Sequence, residues 1–131
     1  MGEIKTKIIL KGLKQEKEYD VVVDTASDVI TMPEKIAEEL GIETAWEGKS
    51  ILGDTSETKG KRGVITLKKN GCEYPFLANI IKETAKGDIL LGATELQVFG
   101  AKIDMTKDTV DFTSCHNPII RRVISNTLKK K

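Results

Sequence analysis

Hydrophobic and polar residues alternate along much of the chain with the period of two that is typical of β-strands. The first alternating stretch covers residues 4–10, and a more continuous β-branched run, residues 19–23, predicts a strand buried on both faces. Residues 11–14, Lys-Gly-Leu-Lys, predict the turn between them. The same pattern predicts strands over residues 44–52, 57–69, 72–81 and 89–92, and alternation returns over residues 101–112.

Helical spacing is found in two short segments. The segment EKIAEELG follows Pro33, spaces its apolar residues along one helix face and ends in Gly41, which predicts a short helix. Residues 94–99, closed by Gly100, predict a single helical turn.

Turn signals separate the predicted strands. Asn70-Gly71 is the strongest hairpin signal in the chain, Gly53 to Ser56 has the composition of a turn, and Lys107-Asp108 predicts another. Many short strands with little helix predict a mostly β fold, a sandwich or a barrel, that carries one or two short helices.

Two of the predicted strands end in similar sequences. VVVDTA at 21–26 and ILLGAT at 89–94 are both apolar runs that stop at small residues and lead into a helical stretch. This similarity indicates an internal pseudo-repeat.

The composition limits the domain count and the partners. With 131 residues, the chain fits one domain, and its 21 Lys and Arg nearly balance 20 Asp and Glu, so net charge gives no reason to expect nucleic acid. Two cysteines are too few for a disulfide framework, and the charged start MGEIKTKIIL does not resemble a signal peptide. We therefore expect a cytoplasmic protein with free thiols and no transmembrane helix.

Other functional motifs are absent or incomplete. Gly48-Lys49-Ser50 ends like a phosphate-binding loop, but Glu43 stands where the first glycine is needed. One histidine and two cysteines do not supply a zinc site in one chain, and the adjacent Cys115-His116 lacks the spacing of a nucleophile and its base. The sequence predicts no metal and no cofactor.

The order of motifs resembles the retropepsin-like family of aspartic proteases, the single-domain relatives of retroviral protease. It consists of DTASD at 24–28, ITMPEKIAEELGI at 30–42, a hairpin near Gly53 and DILLGATELQVFGAKID at 88–104. The resemblance covers roughly residues 4–113. It implies a closed β-barrel, a protease domain over residues 1–113 and activity as a homodimer on peptide or protein substrates.

The chemistry of such an enzyme requires two carboxylates that face one water, one as general base and one as general acid. Asp24 is the family carboxylate by this resemblance, whereas Asp54 and Asp108 lie in turns although each precedes a threonine. A second copy of the chain must therefore supply the second carboxylate.

The resemblance also implies roles for neighbouring residues. Thr25 is expected to brace the two active-site loops across the dimer axis, and Gly92 to pack behind the catalytic loop. The hairpin of residues 52–58 is expected to close over a bound peptide. The implied catalytic motif is Asp24, Thr25 and Ala26, and the implied substrate-binding residues are Asp28, Leu52, Gly53, Asp54 and Thr55.

Simpler roles stay open for each of these residues. Asp24 is also an ordinary turn or helix cap, Asp28 a capping or surface carboxylate, and Thr25 a hydroxyl satisfied within its own loop. Any Gly-Asp-Thr-Ser turn would look like the hairpin near Gly53.

Two residues depart from the family pattern. Ala26 stands where the family normally has glycine. It costs about 1 kcal/mol or more if the position needs a positive φ, and if φ is negative its methyl group crowds the cleft. Ala93 stands where retroviral enzymes have an arginine that ties the dimer. The alternative function is therefore a binding or assembly module that kept the fold while Ala26 impaired catalysis.

Residues 114–131 form a basic extension beyond the resemblance. Apolar residues of PIIRRVISNTLKKK have near-helical spacing opposite its lysines and arginines. Such a segment is typical of a docked or frayed helix with a solvated face. The alternative is contact with an anionic membrane or nucleic acid.

Overall fold

The computed structural model describes residues 3–51, 57–113 and 115 of the chain. The strands are β1 (Lys5–Lys11), β2 (Glu16–Val23), β3 (Thr31–Pro33), β4 (Thr44–Ile51), β5 (Glu57–Lys69), β6 (Cys72–Ile81), β7 (Ile89–Leu91), β8 (Lys102–Asp104) and β9 (Thr109–Asp111). Six of them form a closed barrel in the order β1, β2, β7, β3, β6, β5, and the C-terminal part of β5 pairs back with β1. β4 pairs with the N-terminal part of β5.

Two short helices complete the fold, α1 (Glu34–Leu40) and α2 (Ala93–Phe99), together with one 3₁₀ turn, Ala85–Gly87. α1 ends at Gly41, whose φ of 74° is left-handed and whose N–H donates to the Ala37 carbonyl over 3.0 Å. The mostly β barrel with two short helices confirms the fold class expected from the sequence. Neither helix of the described part has the length and apolar character that a membrane crossing needs.

The predicted hairpins lie where the turn signals are. Asn70 and Gly71 both have positive φ, 50° and 80°, as a two-residue turn between antiparallel β5 and β6 requires. Asp108 also has a positive φ, 50°, in the turn between β8 and β9.

The sequence pattern missed β3 and the polar start of β2. β3 has three residues and pairs in parallel with β6, with Thr31 opposite Asn79, so its partner is distant in sequence. β2 begins at Glu16 because the hairpin with β1 pairs Lys11 with that residue. Three residues are too few to show a hydrophobic period, and the start of β2 is polar and exposed, so the alternation signals neither.

The core fills the barrel with side chains from the inward face of each strand. β5 shows the alternation: Ile65 and Leu67 are buried in the core, whereas Val64 is exposed. α2 adds Leu96 and Phe99 to the same core. The largest fully buried side chains include Ile8, Leu10, Ile30, Met32, Leu40, Ile65, Leu67, Ile80, Leu91 and Phe99.

An aromatic cluster fixes the segment after β9 to the barrel. Phe99 of α2 packs edge to face against Tyr74 and Phe112, with ring centroids 5.1 and 5.8 Å apart, and lies 5.8 Å from Phe76. Burying several rings together stabilises the end of the described chain on β6 and α2.

The expectation of free thiols is wrong, because Cys72 and Cys115 form a disulfide. Cys72 begins β6, and the Phe112 ring brings the following segment to it, so the two Cα atoms lie 6.3 Å apart, within bonding range. The cysteines are 43 residues apart in sequence, and their proximity depends on packing that the hydrophobic pattern does not report.

We predict that the disulfide contributes substantially to stability. Reduction should lower the free energy of unfolding by on the order of 4 kcal/mol, since a sequence separation of 43 residues closes a long loop in the unfolded chain. Urea unfolding of the oxidised and reduced protein measures the difference. A Cys72→Ala, Cys115→Ala variant should match the reduced protein with and without reductant, and equal stability of all four samples would contradict the prediction.

Candidate active site

The loop of residues 24–30 joins β2 to β3 and carries the predicted catalytic motif. β2 pairs in parallel with β7, with Val23 opposite Leu91, so both strands end at the same level of the barrel. The Asp24 N–H donates to the Leu91 carbonyl over 2.9 Å and extends this pairing by one residue. The two similar sequences noted above therefore lie side by side where Asp24 leaves the sheet.

Asp24 also shapes its own loop. Its carboxylate Oδ1 accepts the Ala26 N–H over 3.1 Å, and its carbonyl accepts the Ser27 N–H over 3.1 Å. This is a hydrogen-bonded aspartate turn. The side chain is half-buried, so the turn role does not remove the carboxyl group from solvent.

The tip of the loop is exposed. Thr25 and Ala26 are both solvent-exposed, and the Thr25 hydroxyl has no hydrogen bond to any described residue. The prediction that Thr25 braces a dimer is not tested by one chain. The simpler role, a hydroxyl satisfied within its own loop, does not hold here.

Ala26 has an ordinary backbone conformation. The residues other than glycine with positive φ in the described part are Asn70, Lys86 and Asp108, so Ala26 carries no left-handed strain. Of the two consequences considered for alanine at this position, only the added methyl group applies.

Asp28 lies near the other end of the loop and is exposed. Its carbonyl accepts the Thr94 N–H over 2.9 Å, and the Ser27 carbonyl accepts the Ala93 N–H over 2.8 Å. The first turn of α2 thus holds the loop through its backbone, and the Asp28 carboxylate has no ion pair or hydrogen bond within the described residues.

Gly92 lies where the strand β7 meets α2, directly behind the loop. A Cβ atom at this position would lie 2.7 Å from the backbone N and C atoms of Val29, closer than such atoms approach. Its φ of −93° is open to any residue, so glycine is required by this close approach. The predicted packing of Gly92 behind the loop agrees with this geometry.

Glu95 is a residue that the sequence interpretation missed. It is 0% exposed, and its Oε1 accepts the Gly92 N–H over 2.8 Å, while Oε2 has no hydrogen-bond partner. Glycine followed three residues later by glutamate at a helix start is half of a capping box, and that spacing was the available signal.

The environment of Glu95 favours its neutral form. Burial raises the pKa of this carboxyl, and the backbone amides of Gly92, Glu95 and Ile30 lower it by less. Because the pKa is higher in the folded chain, ionising Glu95 opposes folding as the pH rises above the unfolded value of about 4.3.

The remaining predicted site residues, Leu52, Gly53, Asp54 and Thr55, lie outside the described residues. The strands on either side form an antiparallel pair whose last partners are Ile51 and Glu57.

Three hollows on the surface involve other residues. They have volumes of about 490, 410 and 740 Å³, and neither Asp24, Thr25 nor Asp28 lines them. No group of three or more His, Cys, Asp or Glu side chains within residues 3–51, 57–113 and 115 is arranged to hold a metal.

Comparisons with known proteins identify the fold. No protein-family model and no curated protein sequence matches the chain. Among solved structures, EIAV protease complexed with the inhibitor HBY-793 is 18% identical with a TM-score of 0.61, over 79% of this chain and 94% of that one. The retroviral protease-like domain of Ddi1 from Leishmania major is 16% identical with a TM-score of 0.58, over 82% of this chain and 86% of that one. The barrel, the two helices and these similarities together show that the chain has the retropepsin-like fold.

Proposed function

We propose that the chain is an aspartic endopeptidase that acts as a homodimer, with Asp24 of each protomer as the catalytic carboxylate. The observation that carries the proposal is the position of Asp24. It follows β2, whose Val21 is fully buried and which pairs in parallel with β7. Its carboxyl reaches solvent, and its loop is held from behind by Gly92 and α2. A structural neighbour with this fold is named a protease, which supports the same assignment.

The reaction needs two carboxyl groups close together, and each chain contributes one. Two carboxyls about 3 Å apart share one proton, because ionising both is unfavourable. The ionised group takes a proton from water, whose oxygen attacks the peptide carbonyl carbon, while the protonated group gives its proton to the carbonyl oxygen. The carboxyl group that took the proton from water then gives it to the amide nitrogen as the C–N bond breaks. The other carboxylate takes a proton from a hydroxyl of the tetrahedral diol, which leaves as the carboxylic acid and restores the shared proton.

The exposed surface around Asp24 suits this arrangement. Thr25 and Ala26 form the tip of the loop, and both are free to meet a second copy of the chain. In the proposed dimer the Thr25 hydroxyl bonds across the two-fold axis, where it finds the partner that it lacks in one chain.

The substrate in this proposal is an extended peptide. The exposed carboxylate of Asp28 accepts hydrogen bonds from the peptide backbone. The expected flap, residues 52–58, closes over the peptide and excludes water. No cofactor or metal takes part in the proposed reaction.

Replacing the catalytic carboxylate should abolish cleavage. We expect purified protein to cleave a diverse peptide pool between about pH 4 and 7, the range of a dyad that shares a proton. Asp24→Asn should lower the rate by roughly 10²- to 10⁴-fold or more, because neither acid nor base catalysis remains. Mass spectrometry of the products measures the cleavage rates of the native chain and of the variant.

A matched control is Asp108→Asn, since Asp108 also precedes a threonine and its φ of 50° is one that asparagine adopts readily. This variant should cleave like the native chain. Cleavage that survives Asp24→Asn, or is lost equally in both variants, would contradict the assignment of Asp24.

The requirement for two chains gives a separate prediction. After subunit exchange with about a ninefold excess of Asp24→Asn chains, activity should fall about tenfold, because most native chains then pair with a partner that lacks the carboxylate. The same excess of Asp108→Asn chains should raise total activity. Sedimentation at the assay concentration checks the dimer, and activity from a strict monomer would overturn the mechanism.

The effect of Ala26 follows from its unstrained backbone. Ala26→Gly should lower stability by roughly 0.4–1 kcal/mol through the greater freedom of the unfolded chain. It should cleave at least as fast as the native chain, because the methyl group at the loop tip is removed. Thermal unfolding and peptide cleavage measure the two effects. Absence of cleavage by a confirmed dimer of both forms would favour the alternative, a binding or assembly module.

A further inference from the structure

Glu95 has an unusual environment for a charged residue. It is the buried charged side chain of the described part of the chain, at 0% exposure, and it lies on α2 immediately behind the Asp24 loop. Buried carboxyl groups oppose folding unless their oxygens are hydrogen-bonded. A role in the surrounding structure is therefore needed to explain it.

The carboxyl group of Glu95 holds one end of a short chain of contacts. Oε1 accepts the Gly92 N–H over 2.8 Å, and Gly92 packs directly on the backbone of Val29. The next two amides, those of Ala93 and Thr94, donate to carbonyls of the Asp24 loop over 2.8 and 2.9 Å. Fixing Gly92 therefore fixes the donors that hold the loop.

The same carboxyl group also lies close to the loop itself. The Ile30 amide is near enough to lower the pKa of Glu95, although Oε2 makes no hydrogen bond of good geometry. The side chain is thus enclosed between the start of α2 and the residue that leads into β3. An apolar residue in this place would leave the buried Gly92 N–H without an acceptor.

We propose that Glu95 is a positioning residue for Asp24: its buried carboxyl group holds Gly92 and the first turn of α2 against loop 24–30 and so fixes the direction of the Asp24 side chain. The expected effect of Glu95 on catalysis rests on the proposed function. The contacts themselves belong to the fold of one chain and can be tested without activity.

Two substitutions separate the hydrogen bond from the volume of the side chain. Glu95→Gln keeps an oxygen that accepts the Gly92 N–H, whichever protonation state the native acid has. Glu95→Leu fills a similar volume but removes the acceptor. Leu67→Ala is the control, because Leu67 is also fully buried but lies on β5, which does not pair with β2, β3 or β7.

Amide hydrogen exchange is the readout that does not need activity. In Glu95→Leu, the buried Gly92 N–H loses its acceptor, so the first turn of α2 is held less firmly against the loop. The amides of Asp24, Ala93 and Thr94 should then exchange roughly 10- to 100-fold faster. Glu95→Gln should restore slow exchange. Leu67→Ala should speed exchange across the core without singling out these three amides.

Cleavage kinetics test the consequence for Asp24. Glu95→Leu should lower kcat by roughly tenfold or more with KM changed less than about threefold, because an interaction that only orients the catalytic group is lost. Glu95→Gln should recover kcat, and Leu67→Ala should keep it at temperatures where the protein stays folded. Sedimentation should show the same dimer content in all four proteins.

The outcomes distinguish failure of this inference from failure of the proposed function. If the native chain does not cleave peptides but Glu95→Leu selectively loosens the three amides, the proposed function fails and the positioning of the loop by Glu95 stands. If Glu95→Leu behaves like Leu67→Ala in exchange and in kcat, the inference is overturned whether or not the native chain is a protease.

Discussion

The parallel pairing of β2 with β7 is the contact on which the candidate site depends. Parallel neighbours need a long crossover, and here the crossover includes β3, β5 and β6, three of the six barrel strands. Only when the barrel closes does the Leu91 carbonyl reach the Asp24 amide. The position of the carboxyl group is therefore a property of the whole fold, although the residues around it look like a local turn.

Close packing behind the loop follows from that pairing and explains two residues of different character. Gly92 is needed because β7 ends against the backbone of Val29, which leaves no space for a Cβ atom. A glycine cannot cap the following helix with a side chain, and Glu95 accepts the Gly92 N–H within the same turn. The same close approach therefore explains both residues. It excludes a side chain at Gly92, and the acceptor for the Gly92 amide comes from the buried Glu95 carboxyl group.

Sequence reasoning succeeded where structure is set by local pattern and failed where it is set by distant partners. The strand alternation, the Asn70-Gly71 turn and the helix that ends at Gly41 are local, and the fold class could be predicted from them together with the order of motifs. β3 and the Cys72–Cys115 disulfide depend on segments far apart in sequence. Glu95 was missed because a glutamate on a short helix is ordinarily exposed, and only the packing of α2 behind the loop makes it buried.

The two-fold symmetry of the proposed dimer determines what the alanine of the Asp-Thr-Ala motif contacts. Ala26 has no positive φ, so the glycine of the family pattern is not required here by the backbone. In the proposed dimer the two-fold axis runs between the Asp24 loops, and a residue at the exposed tip faces its own copy. Two Ala26 methyl groups, one from each chain, then lie close together, next to the two carboxyl groups that must share a proton. In that proposed dimer, the volume between the loops decides whether Ala26 slows catalysis, and the proposed hold of Glu95 and Gly92 on each loop limits how far the loop can move.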